Sequence, residues 1–344
     1  MRIRAVVILF FATIFTLIIL NSQNHDICNN CNVVLISIDS LRADHLGTYG
    51  YSRNITPNID DFANSGIKFT NYISQSYLTP ISEMSVHTSL YPHVHGLLGF
   101  ANEVLPDNET GGNYTVSSPT TIASVLRIYG YNTTIFSSSV EISRLKLVAA
   151  DPFNMKAFNT FKFTKNRNLP DFNNVTNWIG LNKNNKFFLY LLIGTVHEPF
   201  ADNVPSQLKS EFDPKNYSGP LKNVSLDYPL FERIYNGTYY NLSSDNMPAY
   251  NGTVMPGIEQ YDRPIDYGFN LTTEDKAFVT GRYDAGVSYV DSYVGAVIRQ
   301  IHNLGLDKNT IIIVQAEHGE DLGEHGYYWH YDIYDTQTHT PLLI

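Results

Sequence analysis

Three short apolar runs constrain this chain more than any other feature, because each ends in a polar cluster. Val33-Val34-Leu35-Ile36-Ser37-Ile38 runs into Asp39, Phe187 to Ile193 leads to His197, and Thr310 to Val314 leads to Glu317 and His318. Runs this short, with no polar alternation, read as strands of a parallel sheet buried on both faces. Open α/β sheets bind ligands beyond the carboxyl ends of their strands. Three polar clusters at three such ends converge, and a convergent set of carboxylates and imidazoles is a candidate site.

The other segments complete an α/β domain. Helices are expected over Asn58 to Ser65, with Gly66 as C-cap, from Ser82 to Ser89, and over Thr121 to Tyr129 before Gly130. Lys68 to Ile73 and Asn132 to Phe136 read as strands, and Thr273 to Leu304 as a long helix, with or without an interruption. Residues 201–270 are rich in Asn, Tyr, Pro and Gly and read as a long surface insertion. The chain of 344 residues, 43% of them hydrophobic, can bury a large core. The domain is expected to span 32–344.

The N-terminus sets the compartment. Arg2 and Arg4 precede an unbroken apolar run from Ala5 to Leu20. As a helix this run measures about 24 Å, slightly short of a bilayer core. Residues 1–22 therefore read equally as a cleaved signal peptide or a retained membrane anchor, and the remainder as exported. Eleven Asn-x-Ser/Thr sequons agree, at Asn54, Asn108, Asn113, Asn132, Asn174, Asn216, Asn223, Asn236, Asn241, Asn251 and Asn270. Such an excess fits a glycan-bearing, extracytoplasmic surface. Cys28 and Cys31 read as part of a linker, with a local disulfide as the alternative. A net charge of -10 argues against nucleic-acid binding.

Four segments carry chemistry. Asp39 at a strand tip suits a hard or borderline cation, although an isolated Asp there also caps helices. Arg42 and Asp44 read as an ion pair. Thr79 precedes the expected helix start, where amides and dipole favour an anion. Its hydroxyl needs a metal or a base to become nucleophilic, and it could instead be an N-cap. Val196-His197-Glu198-Pro199-Phe200 follows a strand. Glu317-His318 leads into a Gly-rich turn with His330 beyond it, a plausible two-ligand loop.

In order and spacing these segments resemble the sulfatase family. The resemblance rests on IDSLRADHLGTYGY (38–51), TPISEMSVHTSLYPHVHG (79–96), HEPF (197–200), the stretch 289–326 ending in AEHGEDLGEHG, and HTPLLI (339–344). It implies an alkaline phosphatase-like fold, a mixed central sheet sandwiched between helices. It implies that Asp39 and His318 are metal ligands, with Glu317 where the family usually has Asp. Ser40 replaces a second Asp. Thr79 stands at the position of the cysteine that matures to formylglycine, and Glu83 replaces the arginine of that maturation signal, so formylglycine is excluded. His197 and His330 match positions that contact the sulfate or phosphate group.

The set Asp39, Thr79, Glu317 and His318 resembles the single-metal site of lipoteichoic acid synthase-like phosphoglycerol transferases. That implies one divalent ion (Ca, Mn, Mg or Zn) and a Thr nucleophile. The implied activity is hydrolysis or transfer of sulfate or phosphate esters on a glycan, lipid or small molecule. A non-catalytic relative at the cell surface is the alternative. The family usually continues beyond Ile344, so the C-terminal part of its domain is expected to be missing here.

Overall fold

The computed structural model describes residues 30–97, 120–139, 155–165, 167–223, 225–226, 271–330 and 332–344. The expected signal or anchor segment lies outside them. Among the described residues no helix is long and apolar enough to cross a membrane. Asn32–Ile344 forms one compact unit. Cys31 is disulfide-bonded, so the crosslink and not a free linker holds there. Cys28 lies outside the described residues.

The unit is built on a sheet of β1 (Asn32–Ile38), β2 (Lys68–Phe69), β3 (Asn132–Ser137), β4 (Thr160–Phe163), β5 (Phe187–Ile193), β6 (Thr310–Gln315) and β9 (Leu342–Leu343). Its order is β2-β9-β6-β1-β5-β3-β4. The central strands β6, β1, β5, β3 and β4 run parallel, and β9 and β2 join antiparallel at one edge. A two-stranded ribbon, β7 (Asp321–Leu322) with β8 (Tyr328–Trp329), stands apart from it.

Strand alternation divides the core between two faces. Val34, Ile36 and Ile38 of β1 join Leu189, Leu191 and Ile193 of β5 in one cluster, with the helices Pro57–Ser65, Phe172–Asn182 and Thr273–Asn303. Leu35 joins Phe188, Tyr190 and Leu192 in the other, with the helices Thr79–Thr88 and Ile122–Ile128. The sheet is thus mixed and sandwiched between helices. Every side chain of β5 is fully buried, and each large apolar one contributes roughly 1.5–3 kcal/mol.

Some boundaries differ from those expected. The strand over Lys68 to Ile73 is only Lys68–Phe69, with Ile73 making a lone bridge to His339. The long helix is uninterrupted over 31 residues. Gly66 ends its helix in extended geometry, φ -128°. A Cβ there would lie 2.3 Å from the Ile344 carbonyl oxygen, so close backbone approach, not a left-handed cap, requires the glycine. Part of the segment 201–270 is core. Val204, Tyr217, Leu221 and Leu226 are buried, and Tyr217 stacks on Phe278 of the long helix at 4.3 Å. Residues 227–270 lie outside the described residues.

Candidate active site

Register explains why the polar tips meet. β1 lies between β5 and β6, with Ser37 opposite both Leu192 and Gln315. Asp39 and Glu317 each follow those paired positions by two residues, so the adjacent strands deliver two carboxylates side by side. Asp39 N–H still donates to Ile193 O at 2.9 Å. The chain then turns sharply through Ser40, φ 63°. Beyond β6, Gly319 lets the loop pass under Thr336, whose carbonyl oxygen a Cβ would meet at 2.1 Å.

Asp39, Glu317 and His318 are fully buried and offer donor atoms within 4.8 Å of one another. His318 Nε2 stands 3.6 Å from Asp39 Oδ1 and 3.8 Å from Glu317 Oε1. His318 Nδ1 lies 2.9 Å from Gly319 O, where it can only donate, so Nε2 keeps its lone pair. Thr79 Oγ1 lies 3.0 Å from that Nε2 and 3.4 Å from Asp39 Oδ1.

Thr79 is the first residue of its helix, not a residue ahead of it. Leu78 is the N-cap and no side chain caps the helix, so a capping role for Thr79 is not what the structure shows. Pro80 has no N–H, and Ile81 donates to Leu78 O at 3.1 Å. The helix start therefore contributes its dipole rather than the row of free amides expected there.

This donor set fits a divalent cation. Burial pushes the Glu317 carboxyl well above its usual range, and Asp39 and Glu83 push it further. Buried carboxylates facing each other require a proton or a cation between them. Two acids, an imidazole and a hydroxyl are donors that Mn²⁺, Mg²⁺, Ca²⁺ or Zn²⁺ can accept.

His197 and His330 meet beside this cluster. Their Nε2 atoms are 3.1 Å apart, and the His330 ring centroid is 4.4 Å from that of His318. Burial, reinforced by His318, holds the pKa of His330 well below its ordinary value. Arg167 lies against His197 Nδ1 and the Glu198 carbonyl. Arg42 and Asp44 do form an ion pair at 2.7 Å, and Arg42 also reaches Glu324 at 2.7 Å.

Two buried acids escaped the sequence reading of the site. Glu83 accepts from Ser37 Oγ at 2.5 Å, while Gln315 Nε2 donates to the same Ser37 hydroxyl at 2.8 Å, a polar layer beneath the strand tips. Glu320 groups with His197 and His330.

A mixed sheet between helices, with an acid, Thr, acid and His set at its carboxyl edge, defines an alkaline phosphatase-like α/β fold. The sulfatase family profile matches residues 31–344, and the chain belongs to that family. Iduronate 2-sulfatase of Mus musculus is 26% identical over 358 residues, covering 94% of this chain and 60% of that protein. The phosphonate monoester hydrolase of Agrobacterium radiobacter superposes with a TM-score of 0.62 at 18% identity, covering 91% of this chain and 67% of that one. The C-terminal periplasmic domain of EcEptC from Escherichia coli, in complex with Zn, gives 0.57 at 13% identity, covering 91% and 72%. This chain spans about 60% of the length of the iduronate 2-sulfatases it matches.

Proposed function

We propose that this chain is a metal-dependent hydrolase or transferase of sulfate or phosphate esters with Thr79 as nucleophile. The observation that carries the reading is the Thr79 hydroxyl, 3.0 Å from His318 Nε2 at the mouth of the Asp39–Glu317 carboxylate pair. Asp39, Thr79, Glu317 and His318 would hold one divalent cation. Such a cation, when bound, supplies positive charge that lowers the hydroxyl's pKa and offsets charge developing on the ester.

The Thr79 hydroxyl gives up its proton as Oγ forms a bond to sulfur or phosphorus, the bond to the leaving alcohol breaks, and the alcohol takes up a proton in exchange. The Thr-bound group then passes to water in a hydrolase or to an acceptor hydroxyl in a transferase. His197 and His330 border the site where the leaving oxygen would develop charge. The substrate would be a sulfated or phosphorylated glycan, lipid or small molecule. The apolar N-terminal run and the sequons support work outside the cytoplasm, on a secreted or N-terminally anchored chain.

Purified Thr79→Ala tests this against aryl sulfate, phosphate monoester and phosphodiester with several divalent cations. Turnover is expected to fall by orders of magnitude while the circular dichroism spectrum stays unchanged, with a fraction retained in Thr79→Ser. Thr79→Cys is expected to gain nothing through formylglycine, since Glu83 stands in place of the signal arginine. Wild-type turnover by Thr79→Ala would end the assignment.

A further inference from the structure

Arg167 reaches the site from a fourth strand tip. It follows β4 at the edge of the sheet, with β3 between that strand and β5. Two contacts hold it against the segment after β5. Thr195 Oγ1 donates to the Arg167 carbonyl at 2.7 Å, and the side chain crosses Gly194, where an added Cβ would lie 3.4 Å from Arg167 Cγ. The guanidinium rests against His197 Nδ1 and the Glu198 carbonyl. The Arg167 side chain is only 12% exposed, so water competes little for these contacts, and Glu198 Oε1, 3.9 Å away, answers its charge.

This contact decides where His197 keeps its proton. A neutral imidazole has one N–H and one lone pair, and the partners of its two nitrogens choose between them. His197 Nδ1 lies 3.0 Å from Glu198 O, and on that contact alone the proton would sit on Nδ1. A guanidinium, however, has five N–H groups and no acceptor. A proton on Nδ1 would set two donors against each other, and an imidazolium would add a like charge. Nδ1 therefore accepts from Arg167, the Glu198 carbonyl accepts from the same guanidinium, and the ring carries its proton on Nε2. That Nε2–H faces His330 Nε2 at 3.1 Å, which accepts it.

We propose that Arg167 is a positioning residue for the ester chemistry, fixing His197 as a neutral imidazole protonated on Nε2. In the free protein His330 holds that N–H. With substrate present it turns to the leaving oxygen, where charge develops as the ester bond breaks. The inference rests on the pocket being an ester centre, but the place of the proton does not depend on which residue is the nucleophile.

Two measurements test it. Long-range ¹H–¹⁵N correlation of the histidine rings reads the tautomer in the full chain in chelator at about pH 8, above the ordinary imidazole pKa. His197→Gln identifies the signal. Wild type is expected to carry the His197 proton on Nε2, and Arg167→Ala to move it to Nδ1, toward Glu198 O. A wild-type ring protonated on Nδ1, or on both nitrogens, would overturn the proposal, and wild type alone decides if Arg167→Ala does not fold. The second measurement is turnover of aryl esters of graded leaving-group acidity. Arg167→Ala is expected to lose about 10²–10³-fold in kcat with a phenyl ester and about tenfold or less with the 4-nitrophenyl ester, whose leaving oxygen needs less help. An equal loss with both esters, or a change confined to KM, would show Arg167 holding the anionic end of the ester and would overturn the role assigned to it. Wild-type turnover by Thr79→Ala would remove the nucleophile assignment and leave the tautomer result standing.

Discussion

Glu83 shows how one residue can couple the fold to pH. It stands where the formylglycine signal would have an arginine, and it is wholly buried beneath the strand tips. Burial raises its carboxyl from 4.5 to about 7, with Asp39 adding to the rise, while hydrogen bonds from Ser37 and Tyr190 oppose it. A folded-state pKa raised above the unfolded value means that the native state keeps a proton the unfolded chain has released. The stability linked to that proton is complete below 4.5 and lost as pH rises toward 7. Glu83→Gln keeps an acceptor for Ser37 and removes the titration. In chelator, thermal unfolding at about pH 5 is expected to match wild type, and at about pH 8 the variant is expected to melt several degrees higher. An equal shift at both pH values would show that Glu83 acts through packing instead.

Among the elements, the long helix joins the site-bearing sheet to the segment that follows His197. Its N-terminus carries a capping box. Thr272 Oγ1 accepts from Asp275 N at 3.1 Å, and Asp275 Oδ2 accepts from Thr272 N at 2.9 Å. Asp275 Oδ1 also accepts from the Tyr217 hydroxyl at 2.6 Å, so the cap fastens the segment as well. Thr272→Ala is expected to cost about 1 kcal/mol, the usual value of a cap. Asp275→Ala is expected to cost roughly 2–3 kcal/mol, because it also leaves a buried phenol without its acceptor. In a Tyr217→Phe background the excess of Asp275→Ala over Thr272→Ala should largely vanish, as a chemical-denaturation cycle would show. These elements also mark what the sequence made legible. β5 begins and ends where its apolar run does, since a strand buried on both faces needs no period to be recognised. The meeting of Asp39, His197 and Glu317-His318 followed from the parallel sheet alone. The helix starts at Thr79, three residues before the expected start at Ser82, since the first helical turn accepts Pro80. Glu320 was missed because β7 and β8 are two residues each, too short for any periodicity, and only their pairing sets it against His330.

For the whole molecule the open question is where it works, and the surface offers a test. Of the eleven sequons, Asn54, Asn174, Asn216 and Asn223 are exposed. Asn132 differs: it opens β3, is only half-exposed, and its Nδ2 donates to Asn182 Oδ1 at 2.6 Å, closing the gap between that strand and the helix Phe172–Asn182. A glycan on Asn132 would replace one hydrogen of the nitrogen that makes this bond and would have to emerge between that strand and the helix. Asn108, Asn113, Asn236, Asn241, Asn251 and Asn270 lie outside the described residues. If the chain is exported through a glycosylating compartment, peptide mass spectrometry on the native protein should find glycan at several of the four exposed positions and none at Asn132. Asn132→Gln should then leave the glycan mass unchanged, whereas Asn54→Gln should remove one chain from it. Bare asparagine at all four exposed positions would count against that route. Full occupancy of Asn132 in active protein would count against the close approach of β3 to that helix, because the glycan would have to pass between them.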